Sequence, residues 1–216
     1  MQDDDVFPGP GLLLRAYRAG IFPMAGDRGD TGVFWVNPEH RGVLPLERFH
    51  VSRSLGRRMR RAAHRATLDR AFATVVEACA ARDKTWISRP LNAAYLELHA
   101  TGHAHSLEIW AGDELAGGVF GVTLGGAFFG ESMFSHRTDG SKMALAHLAD
   151  HLRRCGFTLF DTQFLTPHLA RLGAIEISRH TYLGRLAVAV DIPARIDAYP
   201  LDSDPAAVVH RITQTS

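Results

Sequence analysis

Thirty residues, from His105 to Phe134, leave this chain few folds to choose from. Three strand-forming segments, His105–Trp110, Leu115–Thr123 and Ala127–Phe134, follow one another almost without interruption. Gly112-Asp113 and Gly125-Gly126 separate them, and both pairs suit tight hairpin turns. The spacing predicts a three-stranded antiparallel meander. At 216 residues the chain can bury a real core, as one ordinary domain or one with a small appendage.

Helices are expected on both sides of that meander. Gly11–Ala19 carries a helical pattern stopped by Gly20, and the short segment Val33–Val36 reads as a strand before Asn37-Pro38. Gly42–Leu46 reads as another short strand. Asp69–Ala81 is helical, with Phe72, Val75, Val76 and Cys79 at core spacing, and Pro90 opens a helix that Gly102 ends. After the meander, Ser141–Cys155 puts Leu145, Leu148, Leu152 and Cys155 on one helical face. A strand over Phe157–Phe164 follows, then a short helix over Pro167–Leu172 and a last strand or extended return over Ile175–Leu183. Beyond Asp191 the proline- and polar-rich composition predicts a surface tail. Two helices, a meander, a long helix and a strand make an α+β order. The N-acetyltransferase superfamily has the same order in its acyltransferase fold.

Composition narrows the setting. Hydrophobic residues make up 46% of the chain and charged residues 22%, a globular balance that argues against disorder. The formal net charge is +1, so any nucleic-acid affinity must come from a local patch. Such a patch exists in Val51–Arg65, where Arg53, Arg57, Arg58, Arg60, Arg61 and Arg65 have no acidic residue among them. It reads either as a solvated helix face or as a phosphate-contacting surface. Cys79 and Cys155 show no metal-like or disulfide spacing, which suits a reducing compartment. The acidic, proline-containing start is no signal peptide, and the longest uncharged run, Leu115–Gly130, is too short and glycine-rich to span a bilayer. A cytoplasmic protein is expected.

The chemistry-bearing residues gather around the long helix. Asp161 and Gln163 alternate on one face of the expected strand, and Glu131 near the end of the preceding strand lies within reach of them if the two strands adjoin. No HExxH or CxxC pattern is present, so no metal is expected. Gly130-Glu131-Ser132-Met133-Phe134 lacks the second glycine of a nucleophile elbow, which argues against a serine hydrolase. The loop Arg137–Lys142 occupies the place of a pyrophosphate-binding loop. Lys142 stands where a small residue belongs, and Asp139 would repel an anion. The site reads as an acyltransferase that has lost coenzyme A. An acetyl-CoA-dependent N-acetyltransferase and a non-catalytic RNA-binding protein are the alternatives.

Beyond these residues, GIFPM, FHVSRSL, TWI, LHATGHAHSLEIW, GESMFS, SKMALAHL, FDTQF, TPHLARLGA and EISRHTYL occur in an order that resembles the leucyl/phenylalanyl-tRNA–protein transferase family. The resemblance runs from about Leu12 to Leu186. It implies a small N-terminal domain over 1–40, a GNAT-like catalytic domain over 41–190 and a tail over 191–216. It also implies transfer of Leu or Phe, and Met less well, from aminoacyl-tRNA to an N-terminal Arg or Lys, marking proteins for N-degron proteolysis. No cofactor or membrane is implied, and a monomer is expected.

Residue roles follow from the same resemblance. Asp161 and Gln163 match the family's catalytic pair, with Gln163 orienting the amine and Asp161 accepting from its amide. Glu131 matches the acidic pocket for the acceptor's positive side chain. Val119, Phe128, Met133, Leu145, Leu148, Leu152 and Phe160 match the aminoacyl pocket, although helical and strand periodicity alone would make them core. Trp86 and Met24 match contacts to the terminal adenosine, and Arg57, Arg58, Arg60, Arg61 and Arg65 become tRNA phosphate contacts. Met24 replaces a common tryptophan, Val36 an aromatic, His136 an arginine, Gly140 an alanine and Ser178 a proline.

Overall fold

A computed structural model describes residues 9–61 and 64–214. Residues 1–8, residues 62–63 of the basic segment and residues 215–216 of the expected tail lie outside it. Helix α1 (Pro10–Arg18) stops before Gly20, as expected. Strands β1 (Phe22–Met24) and β2 (Phe34–Val36) pair as a separate antiparallel ribbon. Then come β3 (His40–Val43), α2 (Arg53–Arg61), β4 (Arg65–Leu68), α3 (Phe72–Ala80) and α4 (Arg89–Ala100). Ser88 caps α4 by accepting from the Leu91 N–H, and Pro90 sits in its first turn. The meander follows as β5 (Ala104–Ala111), β6 (Glu114–Leu124) and β7 (Ala127–Ser135). The rest of the chain forms α5 (Gly140–Arg154), β8 (Leu159–Gln163), α6 (Pro167–Ala170), β9 (Ile175–Ser178), α7 (Arg179–Ala189) and α8 (Pro205–Gln214).

The chain is α+β, with a small N-terminal segment and a larger mixed sheet. Seven strands lie in the order β4-β5-β6-β7-β8-β3-β9, and of these neighbours only β7 and β8 run parallel. Strand alternation sends Val119, Phe128 and Phe160 into one buried cluster and Phe120, Phe129 and Leu159 into another. The first cluster contains residues of α2, α5 and α8, the second residues of α1, α3, α4 and α7. Helix α5 is buried on nearly every side, including His147, Asp150 and His151. A helix so enclosed needs cover from elsewhere in the chain, and α8 supplies part of it.

Four sequence expectations change. The strand expected over Gly42–Leu46 is His40–Val43, since Pro45 has no N–H to extend the ladder and leads into a short 3-10 turn. The basic segment divides, so Arg65 sits on β4 with its guanidinium 5.4 Å from the Trp110 ring centroid. The return expected over Ile175–Leu183 is strand only to Ser178. There the Ser178 hydroxyl accepts from the Thr181 N–H and starts α7. The expected surface tail holds α8, whose Val208, Val209 and Ile212 are buried. Asp204 accepts from the Ala206 N–H at its start, with Pro205 next in sequence. No helix among the described residues is long and apolar enough to cross a membrane.

Candidate active site

The site begins where two parallel strands part. β7 and β8 pair only from Ala127 and Leu159 to Phe129 and Asp161, while β7 continues beside β6 as far as Ser135. Residues of both strands beyond that point line a cavity of about 220 Å³. A cavity of about 150 Å³ already admits a benzene ring, so this one has room for a phenylalanine or leucine side chain. Of the seven residues expected in the aminoacyl pocket, Val119, Met133, Leu145 and Phe160 line it. Phe128, Leu148 and Leu152 lie instead in the surrounding core, a correction to the expectation. Phe128 backs Phe160 in a T-shaped contact, and Leu148 and Leu152 lie one and two turns farther along α5 than Leu145.

Strand β8 ends in an unusual turn. Gln163 has φ +63°, and the Phe164 N–H donates to the Thr162 carbonyl at 2.6 Å. That is a three-residue γ-turn with a positive φ, a strained conformation for any residue with a Cβ. Two features hold it. Asp161 Oδ1 accepts from the Gln163 N–H at 2.8 Å. Gly42 on the neighbouring strand leaves the space, because a Cβ there would stand 2.6 Å from the Phe164 carbonyl carbon.

The turn separates the two carboxylates into different networks. The Gln163 side-chain amide donates to Glu131 Oε1 at 3.0 Å. Glu131 also accepts from Tyr17 at 2.8 Å and from Tyr95 at 2.7 Å. Burial outweighs these donors and pushes the Glu131 carboxyl up to about 7. Burial and the Glu131 charge hold both tyrosines well above their ordinary range. Asp161 faces elsewhere. It receives two parallel bonds from Arg41, at 2.9 and 2.6 Å, and one from Tyr182 at 2.7 Å. Arg41 is 1% exposed and Asp161 fully buried, so the pair is sealed from solvent. The expected bond from the Gln163 amide to Asp161 is therefore corrected: Asp161 takes the backbone N–H, and the amide goes to Glu131.

Other candidates lie around this centre. Trp86 lines the cavity, and its carbonyl accepts from the Ala25 N–H, which brings the end of β1 and Met24 beside the same loop. Ser54, Arg57, Arg58 and Arg61 surround a shallow surface recess on α2. Arg58 pairs with Asp139 at 2.9 Å, which ties α2 to the start of α5. Gly140 abuts β6 so closely that a Cβ would meet the Ala116 carbonyl oxygen at 2.4 Å, so an alanine here needs a backbone shift. Sequence reasoning missed Arg41, Tyr17, Tyr95 and Tyr182, whose contacts span 21 to 141 residues of chain. It also missed Arg82, Ser132, Thr162, Thr166 and Leu169 on the cavity wall. No local pattern marks these residues, because each takes its role from a partner distant in sequence.

Comparison with known proteins completes the picture. The family described as leucyl/phenylalanyl-tRNA protein transferase matches residues 43–187, and its N-terminal domain matches residues 9–39. A leucyl/phenylalanyl-tRNA–protein transferase of Cereibacter sphaeroides is 61% identical over 207 residues, 96% of this chain and 97% of that protein. One of Ruegeria pomeroyi is 58% identical over 207 residues, again 96% of this chain and 98% of the relative. A solved structure of L-PGS from Bacillus licheniformis covers 73% of this chain and 54% of its own, at 15% identity and TM-score 0.40, too low to bear on the fold.

Proposed function

The chain belongs to the leucyl/phenylalanyl-tRNA–protein transferase family, and from that premise we propose how its side chains carry out the transfer. It is an aminoacyltransferase whose substrates are an aminoacyl-tRNA and an acceptor protein. The acyl donor is an ester, activated before it arrives, so no covalent nucleophile is required. The acceptor's α-amine attacks the ester carbonyl, the C–O bond to the tRNA 3′ ribose breaks, and a peptide bond replaces it. The amine's proton ends on the departing ribose oxygen. What the protein supplies is attack geometry, which accounts for several kcal/mol of barrier.

The observation that carries this reading is the bond from the Gln163 amide to Glu131 at the edge of the apolar cavity. With its NH₂ committed to Glu131, the Gln163 amide oxygen is left to accept from the incoming amine. An amide is a poor base, so Gln163 orients rather than abstracts. Asp161 acts one step behind, fixing the turn that presents Gln163. Glu131 already receives three donors out of roughly four lone-pair sites, two of them on Oε1. That leaves Oε2 to accept one N–H from the positively charged side chain of an N-terminal Arg or Lys. A bidentate clamp on the guanidinium does not fit there. Val119, Met133, Leu145 and Phe160 suit an unbranched-at-Cβ donor, which favours Leu and Phe, with Met accepted less well. Trp86, with Met24 nearby, meets the terminal adenosine, and the α2 arginines meet the acceptor stem by its backbone.

The parting of β7 from β8 beyond Phe129 and Asp161, with α5 connecting the two strands, supports a GNAT-like catalytic domain over 41–190, after a small domain over 1–40. Residues 191–216 then form a C-terminal segment in which Ile196 and α8 pack against the catalytic domain. A cytoplasmic monomer feeding N-degron proteolysis accords with this reading. Acetyl-CoA chemistry is not favoured, since Asp139 takes the N-cap position of α5. Incubation with charged Phe-tRNA and a peptide beginning with Arg tests the proposal. Labelled Phe should appear on the peptide. A folded protein that leaves the charged tRNA intact would refute it.

A further inference from the structure

Next to the aminoacyl cavity lies an open recess of about 570 Å³ that none of these roles uses. We propose that it seats the penultimate nucleotide of the tRNA 3′ end, with Arg82 and His168 holding the phosphodiester; this rests on the transferase reading above. Arg82, Met133 and Thr166 line both spaces, so the recess and the cavity share a wall. At its other side stand His136, Ser141 and His168. Lys142 follows Ser141 on α5 and pairs with Asp139, which in turn pairs with Arg58 of α2. The recess therefore lies between the basic helix and the aminoacyl cavity. A donor with its stem on α2 and its amino acid in the cavity must carry its unpaired 3′ nucleotides across that ground.

The lining has the chemistry for a phosphodiester. No acidic residue lines the recess among the described residues. Arg82 is exposed and has no carboxylate partner among them, while its bond to the Met133 carbonyl holds the guanidinium at the junction of the two spaces. His168 Nε2 is shielded from water without a hydrogen-bond partner. Burial, then the charges of Lys142 and Arg171, hold its imidazole below the ordinary range. An anion in the recess offsets the neighbouring cations, and a turn of the half-buried ring brings the orphan nitrogen, once protonated, to bear on it. The volume lies within the range of pockets that hold small molecules. An acceptor chain that begins with Arg or Lys has the wrong charge for this lining, and Glu131 borders only the cavity.

Three donors separate the contributions: 3′-phenylalanyl adenosine, phenylalanyl cytidylyl-adenosine and full Phe-tRNA, each with a peptide beginning with Arg. For the wild type, KM should fall about 10-fold from the first donor to the second, the worth of a charge-assisted hydrogen bond. In Arg82→Ala and His168→Ala the two KM values should converge to within about twofold, and the salt slope of RNA binding should drop by about 0.7 for each phosphate no longer neutralised. Arg82→Lys should keep most of that slope. If Arg82→Ala melts early, Arg82→Gln takes its place. An unchanged KM ratio in folded variants overturns the proposal, and so does a raised peptide KM alone, which would put the acceptor chain in the recess. Failure of the transferase reading shows separately, as a wild type inactive with full Phe-tRNA.

Discussion

Asp161 and Gln163 stand two residues apart, yet the structure predicts that only one of them is also a major support of the fold. Replacing Asp161 by Ala leaves Arg41, 1% exposed, without its counter-charge and removes the carboxylate that also accepts from Tyr182 and the Gln163 N–H. Removing one partner of a buried ion pair costs about 3–5 kcal/mol. At about 2–4 °C per kcal/mol for a chain of this size, the melting temperature should fall by about 6–20 °C. Gln163→Ala removes one hydrogen bond to Glu131, about 1–2 kcal/mol, and should melt only a few degrees lower. Both should lose transfer by about 100-fold or more, the cost of misplacing a reacting group by about 1 Å. The assay is a paired one: thermal melts by circular dichroism, and transfer from Phe-tRNA to a peptide beginning with Arg at a temperature where both variants are folded. An Asp161→Ala protein that melts within about 2 °C of wild type would refute the argument from the sealed ion pair. A Gln163→Ala protein as unstable as Asp161→Ala would refute the division between support and chemistry.

Glu131→Gln should reveal itself through pH. The native Glu131 carboxyl is pushed up to about 7, above its unfolded value, so the native state binds the extra proton between the two values. Wild-type stability contributed by this group is therefore highest below the unfolded value and is lost as pH rises to about 7, so the melting difference between variant and wild type should grow more favourable to the variant from pH 5 to 8. In the same window the peptide KM of the wild type should fall as Glu131 ionises, and that of the variant should stay flat. Gly42→Ala brings a Cβ within 2.6 Å of the Phe164 carbonyl carbon. About 1–3 kcal/mol of stability, read by urea unfolding, and much of kcat should go with it; an unaltered kcat would mean that the turn tolerates displacement. Reversing Arg57, Arg58 and Arg61 to Glu should weaken tRNA binding and flatten its salt dependence in filter-binding assays. An unchanged slope would leave α2 an ordinary surface.

What the sequence disclosed and what it concealed divide along the range of the interactions. The meander was legible because Gly112-Asp113 and Gly125-Gly126 act on residues next to them. Helix α5 was legible because its leucines recur at helical spacing. The neighbourhood of Asp161, Gln163 and Glu131 follows from strand alternation when β7 and β8 adjoin, as they do. Who bonds to whom does not. Alternation places Asp161 and Gln163 on one face, but the positive φ of Gln163 turns its side chain towards Glu131, and that φ depends on Gly42, far away in sequence. Arg41 was invisible for the same reason, since its meaning lies in a partner 120 residues on. The tail was misread because its polar composition hid Asp204-Pro205, a helix start that was present to be seen.

Helix α8 also gives the order of residues in time a physical meaning. Val208, Val209 and Ile212 share a core with Leu55 and Met59 of α2 and with α5, and Arg211 grips Asp150 of α5 through two bonds at 2.8 and 2.7 Å. Chains emerge from the ribosome N-terminus first, so α2 is made long before the helix that braces it. The arginine surface thus acquires its full seat only when α8 arrives. A product cut before α8 by early termination or by a protease would keep the contacts of α2 with α5 but lose the brace from Val208, Val209 and Ile212. Formation of the tRNA-facing helix and docking of α8 are in this way coupled events, although α2 ends at Arg61 and α8 begins only at Pro205.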